Sequence, residues 1–330
     1  MPVNIIDRSG TQALMPEEVS REILQGMVQQ SSIMQLATRA PNMSRKQRRL
    51  PVLSVLPEAY FVDGDTGMKS TTKQNWANKY LDAEELAVIV PISEAVLDDA
   101  DYDIWGEVRP RIEEAIGKTF DRAILFGENA PSAWPDDILT AATSASHTVD
   151  LSSIVGGGGD LYDAVIGVGG TIALIEEDGF MASGHVAAMS MRAQLRGLRE
   201  KVWNGSTAVP GGIPLFHRSA DRQDIQGASR YELDGEPVFF PRNGSMDPAQ
   251  ALMFTGDWSQ LVWAVRQDVT YKILTEAVIQ DGAGNIVYNL AQQDMVALRA
   301  VFRVAWQVPN PINRVNDNAS TRYPFSVLVP

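Results

Sequence analysis

Cysteine is absent from the 330 residues. That excludes disulfides, thiolate zinc sites, iron–sulfur clusters and cysteine nucleophiles, and it suits a reducing cytosol. Histidine is scarce: His147, His185 and His217 stand far apart, with no HExxH and no paired-ligand spacing, so the composition leans away from a metalloenzyme and no cofactor is expected. Long apolar runs are missing too. Spanning a bilayer takes about 20 predominantly apolar residues. The charge-free stretch from Ala164 to Ile175 is too short, and that from Val202 to Phe216 is broken by Pro210, Gly211, Gly212 and Pro214. The first residues carry neither a basic nor an apolar leader, so a soluble intracellular product is expected, with no membrane partner. Positive charge is in the minority, 28 basic against 41 acidic residues. The resulting net charge of -13 argues against the body gripping nucleic acid by phosphate neutralisation.

What is present is an ordinary folding composition, 45% hydrophobic and 21% charged, which excludes wholesale disorder. The length allows about two compact domains of ~150 residues or one larger irregular body. Pro16-Glu17-Glu18 opens a helical pattern continued by Val19, Ile23, Leu24, Met27 and Val28. A second apolar group (Ile33, Met34, Leu36) follows, then the basic run Arg45, Lys46, Arg48, Arg49. An amphipathic helix with so little chain around it requires the rest of the protein, or another copy, to bury its stripe.

From Leu50 to Ile92 the pattern is two strands, Pro51–Leu56 and Leu86–Ile92, joined by a long polar excursion through Asp63, Gly64, Asp65, Gly67, Lys69 and Lys73. A connection this long is unusual inside a compact domain. An extended two-stranded arm reaching away from the body, and lying on a neighbour, accounts for it.

Between Ser93 and Phe126 the residues Trp105, Val108, Ile112, Ile116, Phe120 and Ile124 step by three and then four, predicting one long helix ended by Gly127, with a kink or a start near Pro110. The middle is mixed and glycine-punctuated. Helices are expected over Leu161–Glu177, weakened by Gly167, Gly169 and Gly170, and over Met189–Trp203, with a hairpin through Asp234-Gly235. It lacks regular βαβ repetition, so a doubly wound sheet is not expected. Further on, Val269, Tyr271 and Ile273 alternate toward Ile279 before a turn at Asp281–Asn285. Val296, Leu298, Ala300, Phe302, Val304, Trp306 and Val308 then hold a period of two.

Chemical motifs are weak. Gly117-Lys118-Thr119 looks like the end of a phosphate-binding loop, but Ile112 stands where the motif needs glycine and the residues fall mid-helix. Gly156–Gly159 and Gly167–Gly170 do not spell GxGxxG after a strand. Asp98, Asp99, Asp101 and Asp103 lack the glycine and glutamate of a calcium loop. The basic run suits nucleic acid and the acids of an adjacent subunit equally well. No enzyme signal survives.

The order of pieces resembles the major capsid protein of tailed bacteriophages, the Hong Kong 97-type fold. Leu14–Leu24 with Ser31–Ala37 is similar to that family's arm, and Leu50–Ser54 and Ala87–Glu94 to the strands flanking its extended loop. Asp103–Gly127 is similar to its spine helix, and Thr255–Trp258 and Asp294–Arg299 to its later strands. The resemblance implies an α+β chain with six parts. These are an N-terminal arm (1–49), an extended loop and flanking strands (50–92), a spine helix (93–130), a mixed α/β axial domain (131–250), antiparallel peripheral strands (251–308), and a segment returning to the axial domain (309–330).

It implies, further, a structural protein of the virion, with copies in hexamers and pentamers forming an icosahedral head around double-stranded DNA, assembled in the host cytoplasm. Asp63, Gly64, Asp65, Gly67, Lys69, Lys73, Arg45, Lys46, Arg48 and Arg49 would make inter-subunit contacts. A subset of the family forms Lys–Asn isopeptide links. Lys69 or Lys73 would supply the amine, but Asp294 falls where the Asn is needed, so no cross-link is expected. The arm begins almost at Met1, so a separate scaffolding protein is expected, with a portal. The alternatives are an encapsulin-like nanocompartment shell and, more remotely, a small-oligomer enzyme using the glycine-rich middle.

Overall fold

The computed structural model describes residues 31–62, 68–69, 71–98, 104–204, 207–218 and 231–330. The amphipathic pattern over 16–28 therefore lies outside the described residues, as do Asp63, Gly64, Asp65 and Gly67.

The chain begins with a five-residue helix α1 (Ser32–Leu36) and a short strand β1 (Thr38–Arg39). Strands β2 (Gln47–Val55) and β3 (Asn75–Asp82) pair antiparallel as an isolated ribbon. Next come β4 (Glu84–Ser93), the short helix α2 (Glu94–Asp98) and the long helix α3 (Ile104–Phe126).

Helix α3 forms because Ile112, Ile116, Phe120, Ala123 and Ile124 recur on one face, and all are buried. It runs through Pro110 rather than starting there. It ends at Gly127, whose φ of +68° suits glycine and where a Cβ would come within 2.7 Å of Asp137 Oδ1. Edge-on ring contacts Phe120–Trp134 and Trp134–Trp306 then lock the helix to the sheet at 6.2 and 6.3 Å between centroids.

The middle carries α4 (Ile138–Ser144), β5 (Thr148–Asp150), α5 (Leu151–Gly156), α6 (Leu161–Val165), α7 (Thr171–Glu177), β6 (Gly184–Ala187) and α8 (Met191–Leu195). Then follow β7 (Arg199–Asn204), β8 (Thr207–Pro214), β9 (Phe216–Arg218), β10 (Tyr231–Leu233), β11 (Glu236–Phe239) and β12 (Met253–Gly256). The last part is β13 (Val262–Leu274), β14 (Val278–Gln280), β15 (Ile286–Asn289), β16 (Met295–Gln307) and β17 (Phe325–Val329).

Two sheets organise these elements. A four-stranded sheet, β1-β13-β16-β4, sits with α3; β13 and β16 run antiparallel from Val262↔Gln307 to Leu274↔Ala297. A seven-stranded mixed sheet, β5-β17-β12-β6-β11-β10-β9, forms the second body. One core joins α3, the first sheet and part of the second, through Ile33, Phe120, Trp258, Trp263, Phe302 and Phe325. A second core fills the far side of the seven-stranded sheet around Met191, Leu195, Leu233 and Leu328.

Three expectations are corrected. Leu86–Ile92 does not belong to the extended arm: β4 pairs with β16 from Glu84↔Val304 to Ser93↔Met295 and is an edge of the sheet under the spine helix. The arm's second strand is β3 instead. The helix expected over Met189–Trp203 stops at Leu195, after which β7 pairs with β8; Gly197 and Val202 favour that outcome over helix continuation. The helix over Leu161–Glu177 is two helices, because Gly167 packs its Cα where a Cβ would lie 2.7 Å from Asp163 Cα, and Gly169 takes φ +78°.

Candidate inter-subunit surface

The ribbon runs from Gln47↔Asp82 to Val55↔Asn75, with an irregularity after Leu53. Its period of two separates the faces. Leu50, Val52 and Leu81 face the body; Leu81 is fully buried in a small cluster with Met43, Ala83, Ala264 and Ala305. The opposite face carries Trp76, 62% exposed, and Tyr80, 43% exposed. Past Val55 the apolar residues Tyr60, Phe61, Val62 and Met68 are exposed, Phe61 and Met68 at 105% and 92%. Large apolar groups in this number on one projection mark an interaction surface rather than scattered surface residues.

Side chains of other elements hold the ribbon on its own subunit. Trp134 Nε1 donates to Asp82 O (2.9 Å) and Gln307 Nε2 to Tyr80 O (3.0 Å). Further out, Ile312 N donates to Leu53 O (3.2 Å) and Arg314 to Pro57 O (2.7 Å). Sequence reasoning missed these supports, since they couple residues 52 to more than 200 positions apart and have no local signature.

The sequence-derived contact residues divide. Lys69 and Lys73 are exposed on the segment beyond the paired strands. Lys46 pairs with Glu84 at 2.9 Å and Arg48 donates to Pro41 O at 3.1 Å, so both are used within the subunit. Arg45 and Arg49 are exposed and make no ion pair or hydrogen bond among the described residues. Asp294 sits in the turn leading into β16, at φ +46°, and its carbonyl accepts from Glu94 N. Among the described residues no group of His, Cys, Asp or Glu is arranged to hold a metal ion, and no helix is long and apolar enough to cross a membrane.

The arm's last turn is anchored differently. Asp121, on α3, is fully buried and accepts from Ser31 Oγ (2.5 Å) and Ser32 N (3.0 Å), with further donors from Ile33 N and the Asn243 side chain. Ser31 Oγ in turn accepts from Met34 N and caps α1. Desolvation pushes the carboxyl up to about 6, and the converging donors limit that rise.

This architecture has many solved counterparts. The sequence matches the phage capsid family over residues 11–313. The chain belongs to that family. A curated relative, the major capsid protein of Staphylococcus phage 80alpha, is 28% identical over 311 residues, covering 93% of this chain and 85% of the relative. Solved structures from Microbacterium phage Oxtober96 and Mycobacterium phage Adephagia both superpose at a TM-score of 0.72. They are 34% and 31% identical and cover 91% and 99% of this chain, and 91% and 98% of theirs. A capsid of a native GTA particle shares the fold at a TM-score of 0.57 and 16% identity, covering 90% of this chain and 89% of its own. The phage capsid chain described here is therefore a Hong Kong 97-type structural shell protein of the virion, and not an enzyme. Neither the nanocompartment nor the enzyme alternative is favoured.

Proposed function

We propose that copies of this chain associate into hexamers and pentamers that close as an icosahedral head around double-stranded DNA. In this reading the ribbon β2–β3 and the segment beyond it, including Asp63, Gly64, Asp65, Gly67, Lys69 and Lys73, lie over a neighbouring subunit. Arg45 and Arg49 meet acids of an adjacent copy, while Lys46 and Arg48 shape the ribbon's base. The observation that carries the reading is the bare apolar projection: Trp76, Phe61 and Met68 stay exposed on the single chain. Covering each such side chain contributes about 2 kcal/mol, a gain that only another surface can supply.

The same reading divides the chain as arm 1–49, extended loop and flanking strands 50–92, spine 93–130, axial domain 131–250, peripheral strands 251–308 and returning segment 309–330. The chain assembles in the host cytoplasm, with a separate scaffolding protein and a portal as partners. A net charge of -13 supports a container that does not adhere to its packaged duplex. No Lys–Asn cross-link forms, because Asp294 replaces the amide.

Electron microscopy of the purified protein, after a sizing column, tests this. Closed particles or capsomer rings are expected; a monodisperse small oligomer, unchanged at high concentration and with scaffold added, would contradict it. A denaturing gel of the particles should show single chains, and a covalent ladder would refute the cross-link statement.

A further inference from the structure

Lys118 and Arg122 stand one turn apart on α3 and, with Thr119, Glu128 and Asn129, line an open cavity of about 220 Å³. Its donors are under-used. The side chains of Lys118, a half-buried residue, and of Asn129 make no hydrogen bond or ion pair among the described residues. Arg122 pairs with Glu128 through one terminal nitrogen, but its Nε is buried with no acceptor. Thr119 Oγ1 donates its one proton to Ala115 O, so it lines the cavity without adding a donor. Asn129, two residues after the helix-ending Gly127, holds φ +53° and is exposed at the cavity's edge. Arg122 has Glu128 as its ion-pair partner and Asp247 close enough to interact with it, so Lys118 is the cation of the cavity left without an acid.

We propose that this cavity receives an aspartate or glutamate side chain of a second copy of the chain. This rests on the shell reading above and names one of its contacts. The chemistry fits a carboxylate: an ammonium, an amide and a guanidinium edge offer donors on one wall, the arrangement that charge-assisted hydrogen bonds need. An incoming carboxylate would give the unpaired Lys118 ammonium a charge-assisted partner. Another copy supplies such groups readily, since 41 of its residues are acidic. Duplex DNA fits less well. Gripping it takes several phosphates neutralised along a face, not one net charge in a recess. The residues are those of the Gly117-Lys118-Thr119 stretch, so its lysine serves a protein carboxylate rather than a nucleotide phosphate.

The test uses assembled particles of the full chain, made from a mixture of isotopically light and heavy copies, with a photo-cross-linking amino acid in place of Thr119. Expected are cross-linked peptides that join a light to a heavy copy at a segment bearing Asp or Glu. Lys118→Glu should weaken association about tenfold, because it sets like charges against each other. Cross-links confined to one copy, cross-links to DNA, or none above background in well-formed particles would overturn the proposal. So would K118E particles that form and dissociate like the parent. If the Thr119 substitution blocks assembly, the same cross-link is sought from Asn129 at the rim. Failure of the parent chain itself to form particles would instead break the shell reading.

Discussion

The α1 helix and the β2–β3 ribbon are both pieces without a core of their own, yet the chain treats them in opposite ways. Helix α1 has five residues, far too few to be stable alone, and Ile33 and Met34 are 0% and 3% exposed. Its own subunit covers it, and a buried carboxyl on the spine helix satisfies its first amides. The ribbon has strands of nine and eight residues, paired along most of their length, and still leaves Trp76 and Tyr80 open to solvent. Length does not decide which segment belongs to the subunit. What decides is where the apolar face and the free backbone groups find partners: for α1 inside the chain, and for the ribbon's outer face, in the proposed assembly, on the next copy.

The largest effect expected is at the arm's anchor. Asp121→Ala leaves the donors from Ser31, Ser32, Ile33 and Asn243 buried without an acceptor and should destabilise the soluble subunit by about 3 kcal/mol. Denaturant unfolding measures it; a loss within about 0.5 kcal/mol, the range of an ordinary surface change, would show that α1 is not held as described.

A pH titration sharpens the same point. The folded pKa of Asp121 is raised from 3.8 to about 6. Its stabilising contribution is therefore full below pH 3.8 and is lost as pH rises through 6, a change of about 3 kcal/mol. His185, buried in β6 beside Thr255 and with Nε2 unpartnered, has the opposite sign. Desolvation lowers its pKa from 6.5 to about 4, so its contribution is full above 6.5 and is lost as pH falls toward 4. In unfolding curves between pH 4 and 7.5, Asp121→Asn should make stability rise more steeply with pH, and His185→Gln should make it fall. Identical pH profiles for parent and variants would contradict both assignments.

The smallest effect on the subunit is expected where the effect on the shell is largest. Trp76→Ala should change subunit unfolding by less than about 0.5 kcal/mol. In particles, where the indole is covered, each contact should lose about 2 kcal/mol, read as a lower denaturant midpoint for shell dissociation. Equal losses in both states would place Trp76 in the subunit's own core.

The same distinction explains which elements the sequence reveals. Helix α3 is legible because its own chain buries one face, recorded by Ile112–Ile116–Phe120, and strand β16 because large apolar residues (Val296, Phe302, Trp306) take one face while smaller or polar ones (Ala297, Arg299, Arg303, Ala305) take the other. The hairpin at Asp234-Gly235 is legible from turn chemistry, with φ of +52° and +90° as expected. Strand β3 is not legible. Asn75-Trp-Ala-Asn-Lys-Tyr80 is exposed at every position, so no subunit core imprints a period on it. Its neighbour β4 takes the strand signal and so passes for the arm's second strand. Asp121 is hidden for another reason. By spacing alone it falls on the polar side of the spine helix, and only the fold brings Ser31 across 90 residues to bury it.

Hydrogen exchange at backbone amides, measured on soluble subunits and on assembled particles, tests the central distinction most directly. Amides of Ser32–Leu36 should be protected equally in both states, whereas the segment beyond Val55 and strand Asn75–Asp82 should gain protection only on assembly. Equal exchange of the ribbon in both states would mean that no neighbour covers it, and would contradict the account.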